Sequence, residues 1–151
     1  MKMAYIKDMG EWAADFEFSI PISVRFSETD MYGHLNNTVP FTYFEEARIE
    51  YCKSIGLMSD WLDPEGKSIP VVADLQCDFI KQVFFDENLS IYVKAAEVGN
   101  SSVDIHYMAK NEKGEVVFTG RGTLVQISKV TGKGIPWTDQ EKSLFVKEKV
   151  K

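Results

Sequence analysis

A short polar segment holds most of the side chains that could do chemistry in this chain. It reads SETDMYGHLNN, residues 27–37, and contains the carboxylate of Asp30, the imidazole of His34 and the amides of Asn36 and Asn37. A carboxylate can attack a carbonyl carbon or act as a general base on water. An imidazole, with an ordinary pKa of about 6.5, can polarise a carbonyl, orient the acid or simply hydrogen-bond within the loop. The same residue types also suit a turn followed by a helix cap, so the pattern alone leaves both interpretations open.

The helix predicted after this segment would supply a second catalytic element. Apolar residues recur at helical spacing from Val39 to Ile55, Pro40 suits the first turn, and Gly56 is a natural stop. The first N–H groups of a helix have no partner within it and lie at the positive end of its dipole. The helix start can therefore hold an oxygen that gains negative charge in a reaction.

Strand-like alternation of apolar and polar residues surrounds this helix. It covers residues 20–26 before the polar segment, and 71–80, 89–95, 103–109 and 115–128 after the helix. Short turns join the later strands, so they are expected to be antiparallel neighbours. One helix and about five strands predict an α+β domain in which the sheet curls over the helix.

Both ends of the chain are predicted to lie outside this domain. A short helix is expected within residues 4–16, with Trp12 and Phe16 on one side. Thr138 and Glu141 have the spacing of a capping box that would begin a C-terminal helix. The predicted parts are an N-terminal extension at 1–18, the central domain at 19–137 and a C-terminal tail at 138–151.

Composition limits the classes of function. The chain has 151 residues with 26% charged, a net charge of −6 and a pI near 5.0, which indicates one globular core and argues against a nucleic-acid surface. It shows neither a signal peptide nor an apolar run long enough to span a membrane, so a cytoplasmic location is expected. Cys52 and Cys77 form no CxxC pair and no zinc-type cluster with His34 or His106. We therefore expect reduced, buried thiols and no metal site.

Three sequence segments together carry a family resemblance. RFSETDMYGHLNN, YFEEAR at 43–48 and TGKGIP at 131–136 resemble the hotdog-fold acyl-CoA thioesterases of the 4-hydroxybenzoyl-CoA thioesterase type. The resemblance covers residues 20–136, and D-x-x-G-H-x-N-N is its most specific part. It implies an antiparallel sheet wrapped around a central helix, and a homodimer or homotetramer with active sites at the subunit interface. It also implies an acyl-CoA substrate and no bound cofactor, since CoA enters as part of the substrate.

The resemblance assigns roles to residues of the polar segment. Asp30 is expected to be the nucleophile or general base, and the backbone N–H of Asn37 is expected to stabilise the oxyanion. His34 is a further catalytic or positioning candidate. The side chains of Asn36 and Asn37 suit capping and substrate positioning equally. Pro40 stands where the family often has an aromatic residue, so no substrate preference is carried over.

Helix and strand residues give further expectations. Tyr43 and Glu46 are candidate substrate-binding residues, although Tyr43 lies beside the apolar stripe and also suits the core. Glu45 has Arg48 three residues on, the spacing of an ion pair. His106 lies on the less apolar side of a strand, so a solvated or subunit-interface position is expected.

Two other functions remain compatible with the sequence. An acyl-carrier-protein thioesterase is one, although the negative net charge disfavours an acidic carrier. A noncatalytic acyl-ligand-binding hotdog dimer is the other, and it predicts thioester binding without hydrolysis. A dehydratase is disfavoured because the sequence lacks an N-P-x-H type segment.

Overall fold

The computed structural model describes residues 3–146 as a five-stranded antiparallel sheet with four α-helices. In spatial order the strands are β1-β3-β4-β5-β2, and each pair of neighbours is antiparallel. This confirms the predicted α+β hotdog architecture. In chain order the elements are α1 (Met9–Ala14), β1 (Phe18–Ser23), a 3-10 helix (Phe26–Glu28), α2 (Val39–Ile55), α3 (Met58–Leu62), β2 (Ser68–Phe79), β3 (Asn88–Val98), β4 (Ser102–Lys110), β5 (Val116–Ser128) and α4 (Asp139–Val146).

Helix α2 is the central helix that the apolar stripe predicts. Phe44 is completely buried, and its ring stacks on that of Tyr107 in β4 with 4.4 Å between the ring centroids. Gly120 in β5 makes room for this contact, because a Cβ there would lie 2.4 Å from Phe44 Cε2. The helix ends at Gly56, which adopts the left-handed φ of 90° expected of a glycine stop. The sheet thus holds α2 against its concave side.

The first strand is shorter than its sequence pattern predicts. β1 ends at Ser23, whereas the alternation continues to Phe26, which is 75% exposed. The reason is local: the backbone N–H of Arg25 donates to the carboxylate of Glu28 at 2.9 Å and so leaves the sheet ladder. Helix α3 was not predicted; its Trp61 is buried and donates a hydrogen bond from Nε1 to Gln126.

The N-terminal segment covers the face of the sheet opposite α2. Trp12 and Phe16 pack together against Met108 of β4 and so lie on one side, as predicted, although α1 ends at Ala14, before Phe16. His106 lies beneath them and is only 5% exposed, so the expectation of a solvated or interface histidine is wrong. Trp12 Nε1 donates to His106 Nδ1 at 2.8 Å, and His106 Nε2 lies 3.0 Å from Asp104 Oδ2. Burial lowers the pKa of His106, although Asp104 acts in the opposite direction.

The C-terminal helix begins as predicted. The Thr138 backbone N–H donates to Glu141 Oε1 at 2.8 Å, and the Glu141 N–H donates to Thr138 Oγ1 at 3.1 Å. Phe145 of α4 is buried beside the ring of Trp137. The outer ends of the predicted extension and tail, 1–2 and 147–151, lie outside the described residues. None of the helices within 3–146 is long and apolar enough to cross a membrane.

Candidate active site

The polar segment lines a cavity of about 380 Å³ at the start of α2. Asp30, His34, Asn36 and Asn37 all contribute to its wall. The structure therefore brings together the predicted acid, the predicted oxyanion donor and two of the other candidates. The remaining lining comes from the polar segment itself, the end of β2, the residues after it and β5, namely Leu35, Phe79, Ile80, Lys81, Gln82, Val83 and Phe118.

The carboxylate of Asp30 is held by the backbone of its own turn. The N–H groups of Tyr32 and His34 both donate to Asp30 Oδ1, at 2.9 and 3.1 Å. The Asp30 N–H in turn donates to the His34 carbonyl at 2.8 Å, and Gly33 supplies the left-handed φ of 79° between them. Within residues 3–146, Oδ2 has no hydrogen-bond partner. One oxygen is thus held by the turn, and the other is unengaged within the described residues.

The backbone amides at the helix entrance are almost all engaged. The Asn36 N–H donates to the Glu28 carbonyl at 2.8 Å, and the Val39 N–H to the Asn36 carbonyl at 3.0 Å. The Thr38 N–H donates to Asn36 Oδ1 at 3.0 Å. The Asn37 N–H has no acceptor in the described part of the chain. The amide predicted to hold an oxyanion is therefore the one left unengaged between residues 36 and 39.

The side chains of His34 and Asn36 have defined positions. The His34 ring is half-buried and meets Phe84 edge-on, with ring centroids 5.1 Å apart. Its backbone, rather than its ring, contacts Asp30. Asn36 Oδ1 also accepts from Thr38 Oγ1 at 3.1 Å, so this side chain caps the approach to α2. Further roles for the His34 ring and for Asn36 toward a substrate stay predictions.

Tyr43 and Glu46 lie apart from Asp30 within the chain. Both line a second cavity, of about 510 Å³, between β1 and α2. Tyr43 is only 3% exposed, and its hydroxyl donates to Glu28 Oε1 at 2.7 Å. The structure does not bring these two residues to the Asp30 cavity, and their binding of substrate stays a prediction.

The expected ion pair between Glu45 and Arg48 is absent from the described residues. Arg48 Nη1 instead donates to the hydroxyl of Tyr107 at 3.1 Å. Tyr107 is buried, and a buried hydroxyl needs a hydrogen-bond partner. The Arg48 side chain therefore points toward the core, where it satisfies this hydroxyl.

Glu28 is a buried carboxylate that the sequence analysis missed. It is 8% exposed and accepts hydrogen bonds from Arg25 and Tyr43. Burial opposes its ionisation, but these hydrogen bonds hold the pKa of Glu28 below its usual value. Burial, and then the charge of Glu28, raises the pKa of Tyr43. The available sequence signal was the spacing of Arg25 and Glu28, three residues apart, which suits an ion pair.

Comparison with known proteins places the chain in a family. The sequence model of the thioesterase-like superfamily matches residues 24–145. A Bacillus subtilis (strain 168) protein named YsmA, described as uncharacterized, is 49% identical over 148 residues, which cover 97% of this chain and 98% of the relative. The acyl-CoA thioesterase YbgC of Haemophilus influenzae is 27% identical over 89 residues, 59% of this chain and 65% of the relative.

A solved structure extends the similarity to three dimensions. A thioesterase of Thermus thermophilus, crystallised in complex with coenzyme A and Zn, is 26% identical with a TM-score of 0.75, over 91% of this chain and 98% of that one. The narrower assignment to the 4-hydroxybenzoyl-CoA thioesterase type stays a prediction. The family model matches most of the chain, and the chain has the fold of the Thermus thermophilus thioesterase. The chain therefore belongs to the thioesterase-like superfamily.

Proposed function

We propose that this protein is an acyl-CoA thioesterase that hydrolyses a thioester to a free carboxylic acid and CoA. One observation carries the proposal: Asp30, whose Oδ2 has no hydrogen-bond partner in residues 3–146, and Asn37, whose backbone N–H has none there either, line the same cavity. Hydrolysis of a thioester requires a nucleophile or base and a donor for the oxygen as it gains charge.

The two groups would act on opposite parts of one carbonyl. The thioester oxygen accepts the Asn37 N–H, and the start of α2 adds the positive end of its dipole. Asp30 Oδ2 then attacks the carbonyl carbon and expels the CoA thiolate, and water hydrolyses the resulting mixed anhydride. In the other route, Oδ2 takes a proton from a water that attacks the carbon itself. A well-placed oxyanion donor contributes about 3 kcal/mol in such sites.

The relatives support the choice of substrate class. YbgC is an acyl-CoA thioesterase, and the Thermus thermophilus thioesterase was crystallised with coenzyme A. By the resemblance, we also propose a homodimer or homotetramer. In the sheet, β2 pairs with a neighbour on one side only, so its free edge could accept a second strand. The acyl-carrier-protein thioesterase and the noncatalytic binding dimer are the competing proposals.

A panel of acyl-CoA thioesters, with thiol release measured for wild type and Asp30→Asn, tests the function. In Asp30→Asn, the N–H groups of Tyr32 and His34 would select the amide oxygen at the Oδ1 position. The amide NH₂ would then replace the reactive oxygen, so the rate should fall by at least about 100-fold. Equal rates for the two proteins would remove Asp30 from the mechanism. Binding without turnover by wild type would favour the noncatalytic dimer, and faster turnover of the same acyl chain on a carrier protein would favour the carrier substrate.

A further inference from the structure

A buried hydrogen bond joins the loop that carries Asp30 to helix α2. The hydroxyl of Tyr43 donates to Glu28 Oε1 at 2.7 Å, and both residues are almost fully buried. We propose that Glu28 and Tyr43 are positioning residues, which fix the reacting carboxylate of Asp30 relative to the amide of Asn37. This inference rests on the proposed function, because it assigns the two residues a part in the same hydrolysis.

Glu28 is held at three points around the loop. Its Oε1 also accepts the backbone N–H of Arg25 at 2.9 Å, and its Oε2 accepts Arg25 Nη2 at 3.1 Å. Its backbone carbonyl accepts the Asn36 N–H at 2.8 Å. One residue thus connects the end of β1, the approach to α2 and, through Tyr43, the helix itself. Asp30 follows two positions later.

The other contacts of the loop are backbone bridges from Thr29 to Leu35 and from His34 to Phe84, and the packing of Leu35 against the hydrophobic core. The part of the loop that carries Asp30 can still shift relative to α2, because within residues 3–146 only Glu28 is hydrogen-bonded to a side chain of that helix. The Tyr43 hydroxyl opposes that shift because it is anchored in α2, the helix that begins two residues after Asn37.

Precise placement matters because reacting atoms must approach to about 3–3.5 Å, and a 1 Å error can cost about 100-fold in rate. Glu28 and Tyr43 line the cavity between β1 and α2 rather than the one that contains Asp30. The proposed role is therefore an action through the loop, in place of the substrate contact that the sequence predicted for Tyr43. This predicts an effect on kcat with little effect on KM.

Tyr43→Phe removes only the hydroxyl and is the first test. We expect kcat to fall by about 10- to 100-fold and KM to stay within about 2-fold. Glu28→Gln keeps an acceptor for the hydroxyl and should retain most of the wild-type kcat, whereas Glu28→Ala should resemble Tyr43→Phe. A double variant, Glu28→Ala with Tyr43→Phe, should be no slower than either single variant, because the two residues act as one unit.

Tyr5→Phe is the matched control. The Tyr5 hydroxyl donates to Asp78 Oδ2 at 2.9 Å and bonds to Thr119 Oγ1 at 2.8 Å on the face covered by the N-terminal segment. Its loss should lower the melting temperature and leave kcat unchanged. A wild-type kcat in Tyr43→Phe, or an equal loss of kcat in Tyr5→Phe, would overturn the positioning role.

Hydrogen exchange separates this inference from the proposed function. In Tyr43→Phe, the amides of Asp30, Leu35 and Asn36 should exchange at least about 5-fold faster than in wild type, with β4 amides unchanged. Unchanged exchange in the loop would end the inference even if wild type hydrolyses thioesters. If wild type hydrolyses none, the proposed function fails by itself, and the exchange rates still decide whether the pair holds the loop.

Discussion

Two substitutions of Asn36 should separate its structural role before α2 from the effect of a negative charge on the reaction. Asn36 Oδ1 accepts from the Thr38 N–H at 3.0 Å and from Thr38 Oγ1 at 3.1 Å, and the residue lines the cavity that contains Asp30 and Asn37. Asn36→Ala removes both acceptor contacts and adds no charge. Asn36→Asp keeps an oxygen for both contacts and places a negative charge beside the proposed oxyanion. Asn36→Ala should therefore lose stability, whereas Asn36→Asp should lose activity.

The magnitudes follow from these contacts. Loss of hydrogen bonds of this kind costs about 1 kcal/mol, so Asn36→Ala should lower the melting temperature by about 2–4 °C. A negative charge at a helix start contributes about 0.3–1 kcal/mol, so Asn36→Asp should be as stable as wild type or more so. Toward the reaction the same charge is unfavourable. At a separation of about 6 Å and an effective dielectric constant of about 20, a full oxyanion is destabilised by about 3 kcal/mol. A half-developed charge gives half of this, so kcat/KM should fall by about 10-fold.

Urea unfolding and thioester hydrolysis at pH 7 measure both quantities on the same preparations. Ser128→Ala is the control, because Ser128 Oγ accepts two backbone N–H groups, at 3.1 and 3.2 Å, at the end of β5 away from the cavity. It should lose stability and keep full activity. An Asn36→Asp variant with the kcat/KM of wild type would refute the idea that negative charge develops beside these amides.

Three further predictions concern the buried groups of the fold. Because burial keeps the pKa of His106 below its ordinary value of 6.5, the unfolded chain binds the proton first as the pH falls. Urea unfolding should therefore show wild type losing stability below about pH 6.5, with a smaller loss in His106→Gln. Gly120→Ala would place a Cβ 2.4 Å from Phe44 Cε2 and 2.6 Å from the Gln76 carbonyl oxygen, so chemical denaturation should show a loss of about 1–3 kcal/mol. Burial raises the pKa of Cys52 to about 12, so a thiol reagent at pH 8 should label it far more slowly in the native than in the urea-unfolded protein.

Sequence reasoning succeeded where structure is decided locally. The bounds of α2 follow from a stripe of apolar residues, a proline near its start and a glycine after its end, and Gly56 ends the helix as expected. The family resemblance assigned Asp30 and Asn37 to one site, and the structure brings both residues to one cavity across a short loop. Capping of α4 by Thr138 and Glu141 follows from their spacing. Each of these features depends on residues that are close together in the sequence.

The failures involve side chains that meet across long separations. Trp12 and His106 are 94 positions apart, and nothing in the alternation of β4 indicates that a tryptophan from the N-terminal segment will bury the histidine. The bond from Tyr43 to Glu28 spans 15 positions and two kinds of element. Arg48 was expected to pair with Glu45, but it donates instead to the buried hydroxyl of Tyr107. A periodicity shows which face is buried, but it does not show which polar group meets which.

The hydrogen bonds of the polar segment explain why so many polar residues are concentrated there. Most of their donors and acceptors hold the backbone: Asp30 Oδ1 fixes its turn, and Asn36 Oδ1 fixes the approach to α2. A donor on Asp30 Oδ2 would make that oxygen a weaker nucleophile, and an acceptor on the Asn37 N–H would compete with the substrate. Both atoms must therefore stay unengaged for the proposed chemistry. In the proposed mechanism, the two atoms must be held in position by residues that do not bond to them. Glu28 and Tyr43, which lie outside the cavity that contains Asp30, are the residues proposed for that role.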